Sequence, residues 1–158
     1  MNTEYRCYTL THFMLSSIQQ GIQSGHAAME LVNKYYQPEP LYKDDEERFD
    51  TLLSWIREDK TIIALNGGNS EGLFEWYQFL NRPGYNTLPW VLFNEDENSL
   101  EGAMTSIAII IPDRIYDFDT ATHPQCTNWG GMFNNVPPEF TAWEWELFEK
   151  IKSAPLAR

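Results

Sequence analysis

Basic residues are scarce in this chain. Its 11 Lys and Arg stand against 23 Asp and Glu, for a formal charge of −12 over 158 residues. Proteins that grip a phosphate backbone do so with Lys and Arg that displace counterions, and they carry a basic stripe. Here the cations are scattered singly, at Arg48, Arg57, Lys60, Arg82 and Arg114 among others. The far field repels a polyanion, so long nucleic acid is not expected as a partner. Cysteine is nearly absent as well. Cys7 and Cys126 are too few for a disulfide framework or a metal cluster. Both read as free thiols, and neither a metal nor a cofactor is expected. No apolar run reaches membrane-spanning length, and the longest, Ile107 to Pro112, reads as a strand. The opening MNTEYRCYTL has no basic region ahead of an apolar one, so a secretion signal and a membrane partner are not expected. The compartment implied is the cytoplasm.

What is present is a core. Hydrophobic residues make up 42% of the chain and aromatics 15%, which argues against a disordered chain. Its length suits one domain. Glu4 to His12 is rich in β-branched and aromatic residues and reads as a strand. Ser16 or Ser17 caps a helix that runs to about Tyr36, where Pro38 and Pro40 break it. Residues 44–58 form a second helix with acids in its first turn. Thr61 to Leu65 is a short strand closed by Gly67 and Gly68, and Asn69 or Ser70 caps a third helix. Strands follow around Pro89 to Phe93 and Met104 to Ile111, the latter apolar enough for the middle of a covered sheet. This alternation predicts a single three-layer α/β domain over residues 1–112, with a mixed sheet of about four strands and helices on both faces.

Residues 113–158 form an irregular, aromatic C-terminal extension. It ends in a helix from Thr141 to Lys152 whose Thr141 and Glu144 form a capping box. Trp129, Phe133, Trp143 and Phe148 are too large to leave in water, so the extension is expected to pack on the domain or on a dimer partner.

The first helix carries the candidate chemistry. On a helical wheel Ile18, Gly21, Ile22, Gly25, Met29, Val32 and Tyr36 share one face, and Ile22 and Met29 are expected to pack on the sheet. His26 stands at the rim of that face, flanked by Gln19 and Glu30. It reads either as a satisfied structural histidine or as a functional one. His12 sits at a strand end, where it and His26 share a crevice at the carboxyl edge of the sheet if both point inward. His12, His26 and His123 have no zinc-site spacing. Gly67 and Gly68 before a capped helix resemble a phosphate-cradling turn. Glu95, Asp96 and Glu97 form either a solvated turn or part of a site.

Three stretches together resemble a known family. GIQSGHAAMELVNKYY is similar to the signature helix of the archaeal and eukaryotic type of peptidyl-tRNA hydrolase, G-K-x-A-A-Q-x-x-H-A, with Gln23, His26 and Ala27 at matching positions. KTIIALNGGNSEGLFEWYQFL resembles that family's next strand and helix. LPWVLFNEDENSLEGAMTSIAIIIP resembles its final strand pair, in a divergent branch common in bacteriophages and bacteria. The likeness spans about Glu4 to Pro112. It implies an α/β sandwich, His26 as base or water-positioning group, and an acid, Glu95 or Asp96, to orient it. Two departures accompany it. Gln19 stands where family enzymes carry lysine, and NEDENSLEGAM replaces their aspartate-alanine-glycine-x-threonine turn.

Two classes of function follow. In one, the crevice has kept its shape and lost its chemistry. Gln19, Gln23, His12, Gly67 and Gly68 then hold a small nucleotide-like ligand or a host protein, as a phage factor blocking a process in an infected cell would. In the other, the chain hydrolyses peptidyl-tRNA or a related ester with His26, Glu95 and Asp96. A homodimer is compatible with either.

Overall fold

Tyr5–Thr11 forms β1, and its alternation sets up two different layers. Tyr8 and Leu10 enter one buried cluster and Cys7 the other, as the two-residue period of a strand requires. β1 is interior to the sheet. It pairs in parallel with β2 (Thr61–Asn66) and antiparallel with β4 (Met104–Pro112). β3 (Trp90–Asn94) closes the far edge, antiparallel to β4, so the order is β2-β1-β4-β3. The computed structural model describes residues 3–36, 43–96, 102–120, 136–137 and 139–157. Within them the chain is a single α/β domain with a four-stranded mixed sheet and helices on both faces. Glu97, His123, Cys126, Trp129 and Phe133 lie outside the described residues.

One layer is aromatic. α3 (Ser70–Leu80), capped by the Asn69 side chain accepting from the Gly72 N–H, covers this face with a C-terminal helix, α5 (Ala142–Ser153). Between them lies α4, a single turn from Asp113 to Tyr116. Leu10, Ile107, Ile109 and Ile111 of the strands meet Leu73, Phe79, Trp143, Leu147 and Phe148 of the helices in one continuous cluster. Phe79 and Trp143 stack at 5.1 Å with planes 7° apart, and the Trp143 indole N–H donates to the Phe79 carbonyl. Thr141 and Glu144 form the capping box expected of α5. After α5, the Asn66 N–H donates to the Pro155 carbonyl and the Ala157 N–H to the Ala64 carbonyl, covering the upper edge of β2.

The other layer is built by α1 (Ser17–Tyr35) and α2 (Lys43–Ser54), the latter running into a π-helical turn at Trp55–Asp59. Lys60 ends that turn in the left-handed region at φ 52°. Here the orientation read from the sequence is corrected. Ile22 and Met29 do not pack on the sheet; both are exposed, as are Ile18 and Tyr36. The buried face is Gln20, Gln23, Ser24, Ala27, Ala28, Leu31 and Tyr35. The reason lies in the strands. Toward α1 the sheet presents Thr9 and Ser106 as well as Cys7, Ala108 and Ile110. Covering those hydroxyls with isoleucine would leave them unpaired, at about 1–3 kcal/mol each. Small and polar residues satisfy them instead and let the helix sit close.

Candidate functional site

β1, β2 and β3 all end at the same edge of the sheet as β4 begins, and α1 and α3 both start there. The α1 side of this edge is organised around Gln23. Its side-chain oxygen accepts from the Thr105 hydroxyl at 3.0 Å, and its amide nitrogen donates to the Glu95 carboxylate. The Gln23 backbone carbonyl accepts from the Ser106 hydroxyl at 2.9 Å, and one residue further the Thr9 hydroxyl bonds Ser24 at 2.8 Å. α1 and β3 run past each other here, so residues three apart on the helix meet residues two apart on the strand. Gln23 meets Glu95, and His26 meets Phe93, with ring centroids 5.0 Å apart and planes tilted by 49°.

His26 is partly buried, and its Nδ1 atom is buried without a hydrogen-bond partner. Buried polar atoms are paired in the great majority of cases, so this one asks for a reason. Glu95 bonds Gln23 rather than the histidine. Asp96 is exposed, with its carbonyl accepting from the Gly102 N–H.

The remaining sequence-derived candidates separate. Gln19 is the N3 member of the α1 capping box: its side-chain oxygen Oε1 accepts from the Ser16 N–H at 3.0 Å, and the Ser16 hydroxyl accepts from the Gln19 backbone N–H. It holds the helix start, which is sufficient reason for a glutamine there. His12 belongs to the other side of the edge. Its Nδ1 accepts from the Met14 N–H, which leaves the proton of the neutral ring on Nε2, 3.3 Å from the Ser70 hydroxyl of α3. The two histidines therefore serve different layers and do not meet.

Gly67 and Gly68 form a packing turn. A Cβ on Gly67 would come within 2.5 Å of Leu73 and 3.2 Å of the Leu10 backbone, and Gly68 holds φ +84°. Both amide hydrogens are already used, Gly67 donating to the Thr11 carbonyl and Gly68 to the Asn66 side chain. Neither is left for a phosphate. Cys7 is fully buried, and burial pushes its thiol up to about 12, so it stays protonated and is no nucleophile.

Sequence reasoning missed Phe93, Thr105, Ser106 and Ser24. A signal was available for two of them. Thr105 and Ser106 are the polar pair at the head of an otherwise apolar strand, and a buried strand carries such a pair where something meets it. Among the described residues no group of three or more His, Cys, Asp or Glu is placed to hold a metal. No helix among them is long and apolar enough to cross a membrane. Against models of known families and against curated proteins, nothing matches the chain.

Proposed function

We propose that this chain is a divergent peptidyl-tRNA hydrolase-like protein that binds a small nucleotide-like ligand at the α1–β3–β4 edge and does not hydrolyse it. One observation carries this reading: the acid that would orient His26 is bound to Gln23 instead, while His26 keeps a buried, unpartnered Nδ1. A general base needs a partner that fixes its ring and stabilises the charged form. A binding site needs only a polar ring beside a flat apolar surface, which the partly exposed His26 and Phe93 supply. Gln19, in the place of the family's lysine, is engaged at the helix cap and offers no positive charge to a developing oxyanion.

Residues 7–29 contain no Lys or Arg, so recognition here rests on the base and ribose of such a ligand rather than on its phosphate. The phage-like character of the resemblance supports a role in an infected cell, with a host component sequestered. A host protein in place of the small ligand is the alternative occupant.

The test is a turnover assay on peptidyl-tRNA at low salt, where electrostatics are least screened, paired with thermal-shift titration of nucleosides. The expected result is no turnover, with a nucleoside-induced rise in melting temperature that His26→Ala abolishes. Robust turnover that disappears in His26→Ala would overturn the reading and make His26 the base of an active hydrolase.

A further inference from the structure

The outward face of α1 is apolar, and among the described residues nothing covers it. Phe13 is 48% exposed, Met14 72%, Ile18 78%, Ile22 50% and Met29 71%. The wheel places Ile18, Ile22 and Met29 within a narrow stripe directly opposite the buried face. These five side chains expose on the order of 500 Å² of apolar area, at the upper end of the roughly 300–600 Å² found for the largest patch on a monomer.

The stripe has a shape. Met29 is also one wall of a groove of about 390 Å³ lined by Ala28, Val32, Trp55, Ile56, Ile62 and one cation, Lys60. At the other end of the helix, Phe13, Met14 and Ile18 project as a knob. Between knob and groove, Gly21 and Gly25 have nothing within 4 Å of where a Cβ would stand, so the helix backbone is bare at its midpoint. Ile18 and Met29 are separated along the axis by about 16 Å at 1.5 Å per residue.

We infer that this face is an isologous interface for a second copy of the same chain, with two α1 helices crossing antiparallel at Gly21 and Gly25. A two-fold axis through that crossing sets each knob against the other copy's groove, so one patch complements itself. Bare glycine backbone lets the axes approach closely. The stripe alone supplies more than half of the roughly 800 Å² per partner of a standard interface.

Charge selects the occupant. The chain carries −12, yet residues 7–29 contain no Asp, Glu, Lys or Arg. Two copies of so acidic a molecule can meet only across a neutral face, and this one is neutral throughout its knob and crossing. An oppositely charged partner would find nothing to pair with in the knob or crossing, and the groove adds only Lys60. His26 and Gln19 lie on the shoulder of the stripe, so the candidate site sits at the margin of the dimer. The inference does not depend on what that site binds.

Sedimentation or light scattering at physiological salt tests it. The full chain should run at about twice its 18.5 kDa mass, and the dimer should weaken as salt is lowered and like-charge repulsion grows. Ile22→Glu puts a charge at the crossing and Gly25→Leu fills the bare backbone. Both should give monomers with unchanged circular dichroism, and their melting should lose the concentration dependence that a dimer shows. Tyr85→Glu, at an exposed aromatic elsewhere, should remain a dimer. A wild-type chain that stays monomeric at high micromolar concentration overturns the inference. So does a dimer that survives both α1 substitutions, or one that Tyr85→Glu dissolves equally well.

Discussion

The two faces of the sheet are held by different physics. Against α3 and α5 the contacts are aromatic and aliphatic, with Phe79, Trp143, Phe148 and three isoleucines of β4 closing one cluster. Against α1 the contacts are small and hydrogen-bonded, with Gln23, Ser24, Thr9, Thr105 and Ser106 forming a seam. The aromatic side is held by packed volume and stacking, with the Trp143 indole hydrogen bond to the Phe79 carbonyl as its polar contact. The polar side specifies one register, because moving α1 by a single residue would leave several buried groups unpaired at once. The first face buries the larger apolar cluster, and the second adds its hydrogen-bonded seam to a smaller one built on Leu31, Leu52, Trp55 and Ile110. The candidate site lies on the second, where His26 and Glu95 are placed by their neighbours.

The sharpest way to break this comparison is to empty the aromatic face. Trp143 is almost fully buried, stacks on Phe79 and donates to its carbonyl. Trp143→Ala should cost about 3–5 kcal/mol, the usual range for deleting a buried aromatic. Chemical denaturation measures it. A loss below about 1 kcal/mol would mean that α5 only rests on the sheet.

A far smaller effect is expected at the rim of the same layer, where Arg114 pairs with Glu144. Burial works to raise the Glu144 carboxyl, but hydrogen bonds from Arg114 and from the Thr141 backbone outweigh it and hold it below its ordinary 4.5. A carboxyl lowered in the folded state stabilises the fold fully above its unfolded value and loses that contribution as pH falls through the folded one. Arg114→Ala should therefore cost on the order of 0.5 kcal/mol at neutral pH, since Arg114 is half exposed and screened. The difference from wild type should vanish in acid, below the Glu144 titration. Parallel melts across pH check this, and a gap that persists in acid would show that Arg114 acts by packing.

Much of the fold was legible from local signals. Strands, caps and the break after Tyr35 follow from turn residues and from the Thr141–Glu144 pattern, and the apolar run of β4 marks a strand buried on both faces. The face of α1 was not legible. Periodicity finds the most apolar stripe and assumes that it is buried, which holds when the opposing surface is apolar. Here the opposing strands carry Thr9 and Ser106, far away in sequence, and only pairing in three dimensions shows that Gln23 and Ser24 satisfy them. The site was half legible for the same reason. His26, Gln23 and Glu95 stood out as chemistry-bearing residues, but no linear pattern shows that Glu95 meets Gln23, or that His12 turns to α3 and away from His26. In the sequence Gln19 reads only as standing in the family lysine's place, and its geometry is that of a cap.

The central claim, that α1 faces the sheet with its polar side, reduces to two adjacent residues. Ile22→Gln and Gln23→Ile, each measured by equilibrium denaturation, exchange the chemistry of neighbouring positions, one exposed and one buried. The account predicts that Ile22→Gln stays within about 0.5 kcal/mol of wild type, as exposed substitutions do. Gln23→Ile should lose about 1–3 kcal/mol by stranding Thr105 and Glu95. The reverse order, a severe loss at Ile22 and tolerance at Gln23, would contradict it.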